Sequence, residues 1–204
     1  MKYIKILNLL IGILFISQSV IAQSSDVPND STESSLNFKN AINFCPGGIA
    51  FGIFSANVEH LFGRHHGLVL RGDYEAIPRT YSDAGINASG KAVILNYRYH
   101  IGGGLNSFYA GAFARYRKYK GDGTLETGKF DFSISECTVG LNAGKRWVWK
   151  SGFTMNFALG YGYFYDEQKV NNRSQAALDA IDVFRDNYDF LNGFLGELSI
   201  GYAF

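Results

Sequence analysis

From Leu36 to the last residue, apolar and polar side chains alternate with a period of two, and no long helical stripe interrupts the pattern before Ser174. That period puts successive side chains on opposite faces of an extended strand, so it commits the chain to sheet. The closing "GELSIGYAF" shows how far the commitment runs. Leu198, Ile200, Tyr202 and Phe204 fall on one face, and Glu197, Ser199, Gly201 and Ala203 on the other. Chain ends are usually polar and frayed, so an amphipathic end of this kind needs a partner strand.

Eight segments can be phased: Leu36–Phe44, Gly52–Phe62, Leu68–Ala76, Lys91–His100, Ser107–Tyr119, Phe132–Trp149, Gly152–Tyr165 and Phe190–Phe204. With Gly 24, Phe 17 and Tyr 13 against only Pro 3, the chain is rich in strand and turn formers and poor in breakers. The connections alternate in length. "GRHHG", "IGGGLN" and "KSG" are short; Glu75–Gly90, Lys120–Lys129 and Asp166–Asp189 are long. The connection around Pro46–Phe51 is a short exception. Short turns at one end and long loops at the other predict an all-β, single, eight-stranded antiparallel up-and-down transmembrane barrel, with short periplasmic turns and longer extracellular loops. In the longest loop, Leu178, Ile181 and Phe184 share one side of a possible helix.

The faces are unequal. Leu68, Leu70 and Tyr74 oppose Arg71, Asp73 and Glu75, while Val93, Leu95, Tyr97 and Tyr99 oppose Asn96 and Arg98. Phe108, Ala110, Ala112, Ala114 and Tyr116 oppose Arg115 and Arg117. A soluble barrel turns its apolar face inward, a membrane barrel outward. Two features point outward: the segments reach the roughly 9–11 residues a tilted spanning strand needs, and rings gather at segment ends. Tyr97, Tyr99, Trp147, Trp149, Tyr202 and Phe204 lie toward the short turns, with Tyr74, Tyr116, Tyr161, Tyr163 and Tyr165 toward the long loops. Two such girdles suit the two bilayer interfaces.

Outward apolar faces send Glu59, Arg71, Asp73, Arg98, Arg115, Arg117, Glu136, Arg146 and Glu197 inward. An arginine facing lipid at the midplane costs about 2–4 kcal/mol. Eight strands enclose little more than room for their own side chains, so these charges are expected to pair into a structural plug. The phasing sets Cys45 inward and Cys137 outward, which disfavours a disulfide. Phe132 and Ile134 do not share parity with Val139 and Leu141, and a bulge near Cys137 is the expectation.

"MKYIK" followed by an apolar run and "VIA" reads as a signal peptide over residues 1–22, cut after Ala22, with a flexible lead-in over 23–35 and the barrel over 36–204. The C-terminal signature Leu198, Ile200, Tyr202, Phe204 resembles the signal read by the bacterial outer-membrane assembly machinery. The segment pattern over Leu36–Phe204 resembles the small eight-stranded outer-membrane barrels of the OmpA transmembrane-domain type, with Bacteroidota proteins the most similar. The resemblance implies residence in the bacterial outer membrane, with outer-membrane lipid, lipopolysaccharide and the assembly machinery as partners. No peptidoglycan-binding domain is expected after Phe204.

The expected function is non-catalytic: a polar, side-chain-filled barrel with a structural or surface-interaction role through its loops and an unidentified surface partner. Two alternatives are an outer-membrane enzyme or small-ligand carrier acting on lipid, and a soluble secreted barrel binding an apolar ligand. The last would bury Tyr161 and Phe157 and expose Arg71 and Arg115. A hydrolase needs a serine, a histidine and an acid near the outer rim, whereas His60, His65, His66 and His100 all fall toward the short turns. No catalytic residue, metal site or cofactor is expected, and the near-neutral balance gives no reason for a nucleic-acid partner.

Overall fold

The computed structural model describes residues 38–77, 86–125, 128–171, 173–188 and 192–204. The expected signal peptide and lead-in lie outside these residues, as does part of each long loop. The strands are β1 (Asn40–Phe44), β2 (Ile53–Phe62), β3 (His66–Ile77), β4 (Asn87–His100), β5 (Phe108–Leu125), β6 (Gly128–Val148), β7 (Phe153–Asn171) and β8 (Phe194–Ala203). A 3-10 turn (Pro46–Phe51) joins β1 to β2, and helix α1 (Gln175–Tyr188) lies between β7 and β8. Each strand pairs antiparallel with the next, and β8 returns to β1, so the sheet is a closed barrel in chain order. Among the described residues, no helix is long and apolar enough to cross a membrane.

The seam explains the amphipathic C-terminus. Ala41 faces Ala203 and Ile42 faces Tyr202 across it. Phe204 donates its N–H to Asn40 O at 2.9 Å and accepts one from Asn40 N at 3.0 Å. The last residues have ladder partners, and a closed ring leaves no open edge. At the short-turn end, "KSG" closes through Gly152, whose φ of +85° lies in the left-handed region that glycine occupies without strain.

Two expectations need correction. First, Lys120–Lys129 and the start of Asp166–Asp189 are largely strand rather than loop: β5 runs to Leu125, β6 begins at Gly128 and β7 continues to Asn171. On β5 this stretch sets Lys120 and Asp122 outward over inward Gly121 and Gly123, so it has no apolar face of its own. The rings come from β6: Phe132 covers Gly121 and Phe130 covers Gly123. Second, there is no bulge at Cys137. The β5–β6 register runs unbroken from Phe108↔Lys145 to Leu125↔Gly128. Parity is constant while polarity inverts. Phe130, Phe132 and Ile134 face inward on the same parity as Glu136 and Thr138, because this part of the sheet encloses an apolar core.

That core is closed by α1. Ser174 caps the helix, its Oγ accepting the Ala177 N–H at 3.2 Å. Ala177, Ile181 and Phe184 are buried against Ile86, Tyr119, Phe132 and Ile134, with the Phe184 and Phe132 rings edge to face at 5.5 Å. Arg185 ties the helix to β7 through Asp166 at 2.6 Å and Gln168 at 3.0 Å.

Candidate functional site: an ion-paired lumen inside an apolar belt

The lumen is layered. At the short-turn end, Ala41, Leu61, Leu105, Val148 and Ala203 form an apolar floor. The next layer centres on Arg98, which donates to Glu59 at 2.9 Å and to Glu197 at 2.6 Å while its guanidinium stands 4.5 Å over the Tyr109 ring. Arg146 lies 2.6 Å from Glu59. Glu197 also accepts from Asn57 at 3.1 Å and Ser199 at 2.9 Å. Glu59, Arg98, Arg146 and Glu197 come from β2, β4, β6 and β8, so this cluster crosslinks alternate strands through the middle of the barrel. Gly67 leaves the space: a Cβ there would stand 2.6 Å from Glu59 Oε1.

Ala92, Ile94, Phe113 and Leu195 separate this layer from a second charged one. There Arg71 donates to Asp73 at 2.7 Å, to Ser55 at 3.2 Å and to Gly196 O at 2.9 Å. Arg115 and Arg117 share Glu136 at 2.9 and 2.6 Å. Arg117 also lies 3.8 Å from Glu75, which accepts the Tyr119 hydroxyl. Each cluster balances: Arg98 and Arg146 against Glu59 and Glu197, Arg71 against Asp73, Arg115 and Arg117 against Glu136 and Glu75. Burying a charge is tolerable only with such partners.

Ser107, His100 and Glu59 stand in line, His100 Nδ1 2.9 Å from Ser107 Oγ and Nε2 2.8 Å from Glu59. Nucleophilic hydrolases use such a row. Here Ser107 is 3% exposed and its hydroxyl donates to Gly104 O at 3.0 Å, while Glu59 is shared with two arginines. In this setting the row ties β2, β4 and the turn before β5 together. Of the other histidines, His65 donates from Nδ1 to His100 O at 2.7 Å, His66 meets the Tyr97 hydroxyl at 2.7 Å, and His60 meets Asn40 at 2.8 Å. Among the described residues, no three histidine, cysteine or acidic side chains gather as a metal site. Both cysteines are free, Cys45 buried and Cys137 exposed.

The outer surface is the reverse of the lumen. Leu70, Leu95, Val139, Leu141 and Leu159 are exposed, as are the girdle residues Tyr74, Tyr97, Tyr99, Tyr116, Trp149, Tyr161, Tyr163, Tyr165 and Tyr202; Trp147 points outward but is half-buried. Leu198, Ile200 and Phe204 lie on the same surface. On β4–β7 the belt ends along one register row, whereas on β2 and β3 it reaches one row farther, to Phe54 and Tyr74. Val93, Tyr116, Cys137 and Tyr165 are aligned neighbours, and two residues farther on the aligned set is Lys91, Lys118, Ser135 and Glu167. On β5 and β6 the inward face changes at the same place, from Arg117 and Glu136 to Tyr119 and Ile134. Both faces thus change polarity at one boundary, which is what a strand leaving a bilayer for water requires.

A family model described as a protein of unknown function, DUF3575, matches residues 34–188. The chain belongs to that family. No curated protein matches it. Among solved structures, it is similar to CarO2 of Acinetobacter baumannii, at 11% identity and a TM-score of 0.44, covering 82% of this chain and 98% of that one. It is also similar to a major outer membrane protein of Thermus thermophilus, at 13% identity and 0.45, with the same coverages.

In this DUF3575 chain, sequence reasoning names the arginines and most of the carboxylates but omits several partners. His100, Tyr109, Tyr119 and Asn57 are buried in the lumen beside them. Parity alone was a usable signal for two: Tyr109 and Tyr119 lie on the odd, inward face of β5 with Arg115 and Arg117. Glu75, phased on the face of Arg71 and Asp73 but also read as the start of the following loop and left out of the inward set, is 4% exposed and belongs to the second charged layer.

Proposed function

We propose that the protein is a non-catalytic outer-membrane barrel of the small OmpA type, exported by the signal over residues 1–22, whose lumen is a structural plug. Its contacts with other molecules are made by the surface beyond the belt. One observation carries this reading: apolar side chains outside and balanced ion pairs inside, with both polarities inverting at one register row on β5 and β6. Leu141 is 71% exposed while Arg98 is 0% exposed. An apolar surface on this scale is not left in water. A soluble barrel for an apolar ligand would bury Tyr161 and expose Arg71, and the reverse is found, at 67% and 7%.

The test is to isolate the outer-membrane fraction and run it in SDS with and without boiling. A closed membrane barrel stays folded in cold SDS, so the reading predicts a band that shifts on boiling. Recovery in the soluble fraction with no shift would overturn it.

A further inference from the structure

We propose that the outer face of β4–β7 is a binding site for a phosphorylated acyl lipid of the surrounding leaflet, its phosphates held by lysines just beyond the belt and one chain lying in an alanine trough below them. The proposal rests on the membrane reading above and names the lipid chemistry that this face selects.

Two observations support it independently. The first is charge. Lys91 and Lys118 are aligned neighbours in the first row outside the belt, and Lys120 and Lys169 belong to the next. All four side chains are exposed on the outer face. Three of them, Lys118, Lys120 and Lys169, line a concavity of about 890 Å³ that also takes in Tyr74 and Ser133. The acids are fewer: Glu167 stands in the first row and pairs with Lys169 at 3.4 Å, and Asp122 and Asp131, which also line the concavity, face each other one row farther out. The rows directly above the apolar belt therefore carry excess positive charge, where the phosphates of a lipid headgroup lie.

The second observation is shape. Passing down β5 from Lys118, the outward residues are Tyr116, Ala114, Ala112 and Ala110. Their ladder neighbours are larger: Leu95 and Val139 beside Ala114, and Tyr97 and Leu141 beside Ala112. Over Ala110, Ala112 and Ala143 the surface dips into a groove of about 800 Å³ that runs across the strands, walled by Tyr97, Leu141, Leu159 and Tyr161. An unfilled apolar groove forgoes dispersion contacts that a docked acyl chain restores. The groove lies below the lysines on the same face of β5, with Ala114 and Tyr116 between them, so an acyl chain that passes these two residues joins groove and lysines.

The experiment reconstitutes the full chain into phosphatidylcholine vesicles containing a minor fraction of diphosphorylated lipid A, or the same lipid with its phosphates removed. Lipid retained through gentle detergent extraction is then counted by native mass spectrometry. Wild type is expected to retain the phosphorylated form in preference. K118Q/K120Q should lose that preference, with about a fivefold loss per lysine. A112L, which fills the trough, should lower retention of both forms. Equal retention of the two forms by wild type, or a preference unchanged in K118Q/K120Q, would overturn the site. The cold-SDS band of each protein separates the two readings. A folded, inserted barrel without preference removes the site alone, whereas failure to insert removes the membrane reading and the site with it.

Discussion

Glu59 holds together three partners that have no alternative acid within the same layer except Glu197. Arg98, Arg146 and His100 all lie within 2.9 Å of its carboxylate. Removing one member of a buried ion-pair cluster typically costs about 3–5 kcal/mol, because the partners remain charged and dry. Glu59→Gln should therefore lower the unfolding free energy of the vesicle-bound barrel by that amount, measured by urea titration of tryptophan fluorescence; a change below about 1 kcal/mol would mean that the layer is wet. A second residue-scale prediction concerns the seam. A Cβ on Gly201 would stand 2.0 Å from Ile42 O, whereas one on Gly72 meets nothing within 4 Å. Gly201→Ala should abolish the cold-SDS band, and Gly72→Ala should leave it intact.

At the scale of elements, α1 is held by an apolar face and by Arg185, on strands that have already left the belt. Ile181→Asp places a charge among Phe132, Phe184 and Ile134, so it should release the helix without opening the barrel. Limited trypsin digestion is expected to cut the variant at Arg185 much faster than wild type, with the barrel band unchanged. Equal rates would show that the helix is not held by this face. The same region marks what the sequence could and could not disclose. Strand phase was legible wherever the two faces differ strongly, as at Leu68–Glu75 or Val93–Arg98. It failed at Lys120–Lys129 because glycine on one face and charge on the other imitate a loop, the covering rings lying on the neighbouring strand. The apparent slip at Cys137 arose because a bulge and an inversion of polarity leave the same local trace. Ion-pair partners were illegible in principle. Arg98 and Glu197 are 99 residues apart and meet only through the register of a closed ring.

At the scale of the whole molecule, the lumen alternates apolar floor, charged layer, apolar layer, charged layer and apolar cap. With the arginines matched by carboxylates and the loop end closed by α1, purified protein added to planar bilayers is expected to give no conductance steps; regular steps would contradict the plug. On the membrane reading, lipid solvates the outer face of β4–β7 up to one register row. Single nitroxide labels at Leu141 inside the belt and at Ser133 beyond it, in a Cys137→Ser background, test it directly by their relaxation with oxygen and with a water-soluble nickel complex. In vesicles, the account predicts that the Leu141 label is accessible to oxygen and shielded from nickel, and the Ser133 label the reverse. Equal nickel access at both positions would mean that water, not lipid, covers the belt.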